Sequence, residues 1–235
     1  IYNPTSLLNF FTEKQFDNYW FSTGTPTFLI KFIHKNKYPV PSMERISVNK
    51  KVFDSYDIEN MNLEALLFQT GYLTVSEVET VGEATNYILT YPNNEVKESM
   101  FDYLLADFLQ LGVGSIGPLY FEMRKTLYAN DTAKFIKQVE SLIAGIPYTL
   151  HLPKEAYYHS IFYMILSLVG VKIDVEVLQL GGRVDGVLEL DKAIYIIEFK
   201  YGKKGSDITK LLAKAFAQLK EKRYETPYLN SGKPI

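Results

Sequence analysis

The stretch Ala193-Ile-Tyr-Ile-Ile-Glu-Phe-Lys-Tyr201 constrains the chain more than any other. It opens with an unbroken run of apolar residues, mostly β-branched or aromatic, which predicts a buried strand. That strand ends in Glu198 and Lys200, which the two-residue alternation of a strand puts on one face. Burying charge is costly unless the charge is paired or coordinated. The pair is therefore either a Glu–Lys ion pair at a sheet edge or part of a site that holds something.

Asp185 lies thirteen positions before Glu198, in Gly181-Gly-Arg-Val-Asp-Gly-Val-Leu-Glu189. A turn at Asp191-Lys192 folds this second strand back antiparallel on the first and brings Asp185 next to Glu198. Two carboxylates and a main-chain carbonyl form a hard oxygen site suited to Mg²⁺ or Mn²⁺. A metal there polarises a phosphodiester and acidifies a bound water. Lys200 can orient that water or offset charge in the transition state. The spacing Asp-x12-Glu-x-Lys is moderately specific and also arises by chance.

The flanking segments are predicted as helices, residues 154–169 before the strands and 207–224 after them. With strands predicted at 171–180, 183–190 and 193–201, the order is α-β-β-β-α. Glu155 and Phe162 share one stripe of the first helix, and Glu155 and His159 are neighbours at i and i+4. Glu155 can complete a metal site or simply favour the helix dipole at its N-terminus. His159 reads as a satisfied polar residue rather than a metal ligand. On the second helix Ile208, Leu211, Ala215 and Leu219 form the expected buried side. Gln218 and Lys222 border it, and Gln218 is placed to touch a substrate phosphate or the site water.

The 235 residues, 47% hydrophobic and 22% charged, suit one large domain or two small ones. There is no cysteine, which excludes disulfides, thiolate zinc sites and cysteine nucleophiles and fits a reducing compartment, so a cytoplasmic location is expected. No run reaches the roughly 18 apolar residues of a membrane span, and no secretory signal is present. The chain opens at Ile1 rather than Met, so a fragment or a processed protein is expected. The net charge of −2 hides an asymmetry. From Lys200 onward nine basic residues face three acidic ones, a balance of +6, which leaves −8 on the residues before. A basic end on an acidic body can attract a polyanion, or can be a solvated lysine-rich face.

The first two-thirds read as helices and a small sheet. Helices are predicted at residues 4–11, 26–34, 62–69, 94–111, 121–127 and 132–144. A short strand pair is predicted at 72–75 and 86–91. Helix followed by a two-stranded wing has the look of a winged-helix module. Residues 62–69 carry no Lys or Arg, so packing is favoured over DNA binding for that part. Gly112-Val-Gly-Ser-Ile-Gly117 follows a helix rather than a strand and reads as a helix stop and loop. Asn130-Asp-Thr132 fits a glycosylation sequon without other signs of secretion.

Four segments together resemble the PD-(D/E)XK nuclease domain found behind an AAA-type ATPase domain in many bacterial proteins. They are Glu155 with Tyr158-His159, Gly182-Arg-Val-Asp185, Ile196-Ile-Glu-Phe-Lys200 and Ala217-Gln-Leu-Lys-Glu-Lys-Arg-Tyr224. Tyr2-Asn-Pro-Thr-Ser-Leu-Leu-Asn-Phe10 and Tyr19-Trp20 look like the tail of that ATPase domain. The resemblance implies an α+β, restriction-endonuclease-like α-β-β-β-α-β core with Asp185, Glu198 and Lys200 in the active site. It further implies a helix carboxylate at Glu155, a helix glutamine at Gln218, and Mg²⁺ or Mn²⁺ on Asp185, Glu198 and Glu155. The expected domains are 1–95 (winged-helix-like tail), 96–146 (helical connector) and 147–235 (nuclease-like). The chain stops at Pro234-Ile235, before the last strand of that core is expected. No P-loop is present, so ATP hydrolysis is not expected.

Three functions compete. The first is a divalent-metal-dependent nuclease acting on nucleic acid, with DNA the expected substrate and an ATPase domain the expected partner. The second is a catalytically inactive nuclease fold serving binding or regulation of an attached ATPase. The third makes the Tyr- and Phe-rich first two-thirds a packing scaffold or oligomer interface.

Overall fold

The computed structural model describes residues 4–15, 17, 19, 27–36, 40–53, 62–146, 155–170, 173–179, 182–202 and 205–235. It divides into two compact units, Ile1–Leu104 and Leu105–Ile235.

The first unit holds helices α1 (Pro4–Glu13), α2 (Thr27–Asn36) and α3 (Leu63–Gln69), strands β1 (Ile46–Asn49), β2 (Thr74–Val81) and β3 (Ala84–Thr90), and the larger part of α4 (Asn94–Leu109). Asn62 caps α3 by accepting the Glu64 and Ala65 N–H groups at 2.8 and 3.4 Å, the usual use of a short amide at that position. The three strands are antiparallel in the order β1-β3-β2. Sequence periodicity finds the β2–β3 pair but misses most of β2, whose Glu77 and Glu79 sit on an exposed stretch. It misses β1 altogether, because four residues pairing with a partner some forty positions away leave no local signal.

Asp102, on the α4 residues of this unit, has an Oδ1 with no hydrogen-bond partner among the described residues. Desolvation, with Glu98 adding repulsion, pushes its pKa up from 3.8 to about 6. Between those values the folded chain holds a proton that the unfolded chain has lost, so stability falls as pH rises from about 4 to 6 and stays lower above. After discounting for partial solvent access, Asp102→Asn is expected to be stabilising by about 1–2 kcal/mol at pH 7 and neutral at pH 4. Denaturant unfolding at the two pH values checks this, and equal differences at both would refute it.

The second unit holds α5 (Ile116–Tyr128), α6 (Thr132–Ala144), α7 (Glu155–Leu168), β4 (Ile173–Gln179), β5 (Gly182–Glu189), β6 (Ile194–Ile197) and α8 (Ile208–Lys222). α5 starts earlier than the sequence predicts. Gly117 and Pro118 read as loop residues but occupy its first turn, where the missing proline N–H has no intrahelical partner to lose. α6 is capped by Asp131, which accepts the Lys134 N–H at 3.0 Å. No helix among the described residues is long and apolar enough to cross a membrane.

β4, β5 and β6 form an antiparallel sheet in that order, with Val187 opposite Ile196 and Gly186 opposite Ile197. Val184, Val187 and Ile194 are buried with Tyr224, and Ile196, Leu219 and Tyr228 pack against them. Each such buried side chain contributes about 1.5–3 kcal/mol. The chain's last residues meet the other edge of β6. The Pro234 carbonyl accepts the Ile194 N–H at 2.9 Å, and Lys233 pairs with Glu189 at 2.8 Å.

Two expectations need correction. The strand predicted at 193–201 stops at Ile197, so Glu198 and Lys200 lie beyond it rather than on it. On α8 the expected buried side is only half-buried at Leu211, Ala215 and Leu219, and Ile208 is 71% exposed. The surface that α8 covers does not reach its first turn among the described residues.

Candidate active site

The hairpin register fixes the site. Gly186 faces Ile197, so the next residues outward, Asp185 and Glu198, meet just where the β5–β6 ladder ends. There a side chain replaces the ladder. Asp185 Oδ2 accepts the Phe199 N–H at 2.7 Å, a charge-assisted bond of the stronger kind. This bond explains why the strand stops short: beyond Ile197 the main chain bonds to Asp185 itself.

The Phe199 peptide carries a cation on its other side. Lys200 Nζ donates to the Phe199 carbonyl at 3.0 Å and forms an ion pair with Glu198 Oε1. The Glu198 side chain is only 2% exposed, against 27% for Lys200. The residue as a whole is less buried than its carboxylate, its exposure lying on the main chain. Asp185 and Lys200 thus meet on the main chain of one residue, Phe199, and Lys200 carries the link on to Glu198.

The remaining predicted residues are not joined to them in the same way. Glu155 is the first residue of α7, and its side chain lies outside the described ones. Gln218 is half-buried on α8. Lys203 and Lys204, Tyr2 and Trp20, and the predicted boundary at Pro147 also lie outside them. Lys222 is exposed. The His159 ring packs on Phe199 with centroids 4.9 Å apart, and its buried Nε2 has no hydrogen-bond partner among the described residues.

α7 backs the site and is held at its far end. Gly170 follows it at φ +73, the left-handed conformation common after a helix. The Arg124 side chain donates its Nε–H to the Val169 carbonyl and fills the space beside that glycine. A Cβ at Gly170 would meet the end of the Arg124 side chain, which is flexible enough to give way, so the positive φ is what favours glycine here.

Comparison with known proteins now bears on this geometry. Residues 153–235 match the PD-(D/E)XK nuclease superfamily. These residues form a PD-(D/E)XK nuclease superfamily domain. Its helix, antiparallel strands and following helix are an α+β arrangement consistent with that fold. The "Uncharacterized protein in vnfD 5'region" of Azotobacter chroococcum mcd 1 is 32% identical over 243 residues, an alignment covering 100% of this chain and 45% of that protein. The chain therefore spans less than half the length of that relative. No solved structure matches.

PD-(D/E)XK nucleases generally use divalent metals, and the donor set of this domain fits one. Asp185, Glu198 and the Phe199 carbonyl supply only oxygen, the preference of Mg²⁺ and Mn²⁺. The Lys200 ammonium already bonds to two of these three groups, Glu198 and the Phe199 carbonyl. A cation thus stands among these oxygens, and a divalent ion has to displace it. No group of three His, Cys, Asp or Glu side chains suited to a metal occurs among the described residues, which do not include the Glu155 side chain.

Sequence reasoning missed the aromatic wall of the site. Tyr158 and Tyr201 stack with centroids 5.9 Å apart and planes 20° apart. Phe199 meets Phe162 edge-on at 5.0 Å. Desolvation raises the Tyr158 pKa above its ordinary value, with the neighbouring Tyr201 pushing the same way. The one local hint was the alternation Phe199-Lys200-Tyr201, with a ring on each side of the lysine.

The ion pair carries a stability consequence. Without the ammonium, the Glu198 carboxylate loses the cation beside it inside the domain. Lys200→Ala is expected to lower stability by about 1–3 kcal/mol at pH 7, below the cost for a fully buried pair because Lys200 is partly solvated. Lys200→Arg should recover most of that. Thermal unfolding of the three proteins checks both statements, and equal Tm values would refute them.

Proposed function

We propose that the domain at residues 153–235 is a divalent-metal-dependent nuclease that hydrolyses phosphodiester bonds, with DNA as substrate. The observation that carries this reading is the meeting of Asp185 and Lys200 on the main chain of Phe199, with Glu198 paired to Lys200, at the end of the β5–β6 hairpin. Asp185, Glu198 and the Phe199 carbonyl are the residues that would hold the metal, with Glu155 a further ligand from α7. When bound, it supplies Lewis-acid polarisation of the phosphate and a more acidic water.

The protein's own groups do the rest. Asp185 spends one oxygen on the Phe199 N–H, which fixes the carboxylate against the main chain and leaves its other oxygen for binding. Lys200, released from Glu198 and the Phe199 carbonyl, turns its ammonium toward the attacked phosphate. There it offsets the charge that builds on the phosphoryl oxygens or orients the attacking water. Gln218 is assigned a supporting contact to phosphate or water from α8.

The larger setting is part of the same proposal. Residues 1–95 are read as the tail of an ATPase-like region, so an ATPase domain of the full-length protein is the expected partner. The support is the resemblance at residues 2–10 and 19–20, together with a relative more than twice as long as this chain.

Calorimetric titration of Mn²⁺, followed by plasmid cleavage with the same samples, tests the site. Wild type is expected to bind Mn²⁺ and nick DNA. Asp185→Ala should lose at least about tenfold in affinity and about a hundredfold in cleavage. Lys200→Ala should bind Mn²⁺ at least as tightly as wild type, since its ammonium competes for the same oxygens, yet cleave far more slowly. Wild type that binds no Mn²⁺ would leave a nuclease fold used for binding or regulation.

A further inference from the structure

Beside Lys200 lies an open cavity of about 310 Å³, lined by Tyr158, Phe199, Lys200, Tyr201 and Gly202. Its size is at the low end for small-ligand sites, about 300–1,000 Å³. Three of the five lining residues are aromatic, one is a cation and one is a glycine with no side chain to intrude. The aromatic residues belong to a longer pile. Phe108, Tyr157 and Tyr158 follow one another at centroid separations of 5.6 and 5.1 Å, and Phe135, Phe162 and Phe199 at 6.4 and 5.0 Å. The pile divides by exposure. Phe108, Tyr157, Phe135 and Phe162 are buried and belong to the core. Tyr158, Phe199 and Tyr201 are only half-buried, and they are the ones that border the cavity.

The contact geometry differs along the pile as well. The successive rings of the pile meet edge-on, at 73 to 82°. Tyr158 and Tyr201 alone among these pairs are close to parallel, at 20°. Offset-stacked and edge-to-face contacts are both ordinary for aromatic pairs, but near-parallel rings give a stack that another flat ring can extend. A flat aromatic surface next to a lysine is the combination that takes a base and its phosphate together.

We infer that the cavity formed by Tyr158, Phe199 and Tyr201 is a stacking site for an unpaired nucleobase, so the substrate is single-stranded or locally unpaired nucleic acid. This rests on the reading of Lys200 as the phosphate-side group. Tyr201 follows Lys200 directly, so the base that enters belongs to a nucleotide adjoining the attacked phosphate. A base inside a duplex offers its edges to the grooves while its faces are covered by its neighbours, and it cannot stack here without leaving the helix. Stacking tolerates any base, so the site selects strandedness rather than sequence.

The test uses the whole chain with divalent ions chelated, so that binding is read without cleavage. The probes are short oligonucleotides carrying 2-aminopurine, as single-stranded DNA, single-stranded RNA and blunt DNA duplex. Anisotropy reads affinity, and quenching of the 2-aminopurine reads stacking. One or both single strands should bind at least about tenfold more tightly than the duplex, with quenching. Whichever is quenched identifies the sugar the site accepts. Tyr158→Ala and Tyr201→Ala should each weaken binding by about tenfold and relieve the quenching, while Tyr158→Phe and Tyr201→Phe should keep both. Equal affinity for duplex and single strands, absence of quenching, or alanine variants that bind like wild type would overturn the inference. If an alanine variant fails to fold, the wild-type strand preference and quenching still decide. Asp185→Ala separates the two proposals, since it should lose cleavage yet keep single-strand binding and quenching. Cleavage by wild type without strand preference or quenching would retain the nuclease and remove the base site.

Discussion

Asp185 accepts the Phe199 N–H at 2.7 Å just where β6 ceases to pair with β5, and the rest of the site follows from that bond. Had the ladder continued, Glu198 and Lys200 would have stayed on strand positions and the Phe199 peptide would have been absorbed into sheet pairing. Instead a carboxylate takes over the N–H, and the main chain leaves the sheet with its next carbonyl turned to Lys200. The hairpin register supplies this arrangement without extra machinery. Gly186 opposite Ile197 forces Asp185 and Glu198 together, and a slip of one residue would send Asp185 to the other face.

In the proposed reading the same oxygens serve stability and chemistry. A carboxylate as enclosed as that of Glu198 needs a positive charge nearby, and Lys200 provides it from within the same short segment. That arrangement also sets Lys200 against any divalent ion that binds there, because both seek Glu198 and the Phe199 carbonyl. Lys200 is the more exposed partner and has a flexible stem, so it is the group able to move. Glu198 is held in place by burial.

Much of this was legible in the sequence, for identifiable reasons. The apolar run ending in Glu198 and Lys200, the turn at Asp191-Lys192 and the two-residue alternation together placed Asp185 beside Glu198. The Asp207 cap that opens α8 and accepts the Lys210 N–H at 3.2 Å lies where the helix was expected to start. The end of β6 was not legible, because Phe199 and Tyr201 continue the strand-like composition and only the Asp185 bond breaks the ladder. Nor was β1, whose pairing with β3 is long-range. Ile208 was misread because helical spacing reports which stripe is apolar, not how far along the helix the covering surface extends.

The Tyr158–Tyr201 stack lies at the limit of such reading, since it joins two residues forty-three positions apart. Aromatic residues at helical spacing are most often core, and along α7 that holds for Tyr157, Ile161 and Phe162, all buried. Tyr158 departs from the pattern: it is half-buried, and its partner Tyr201 comes from the segment after the strand rather than from the core. The pair is half-buried and close to parallel, so it leaves ring surface at the cavity that the fully buried rings do not. A constraint from the site itself does account for it. The segment that leaves β6 must carry Lys200 at the end of the sheet, and the residue next to that lysine then has to border the same cavity. A ring there adds a flat surface one residue from the cation, which a chain selected only for packing has no reason to leave half-exposed.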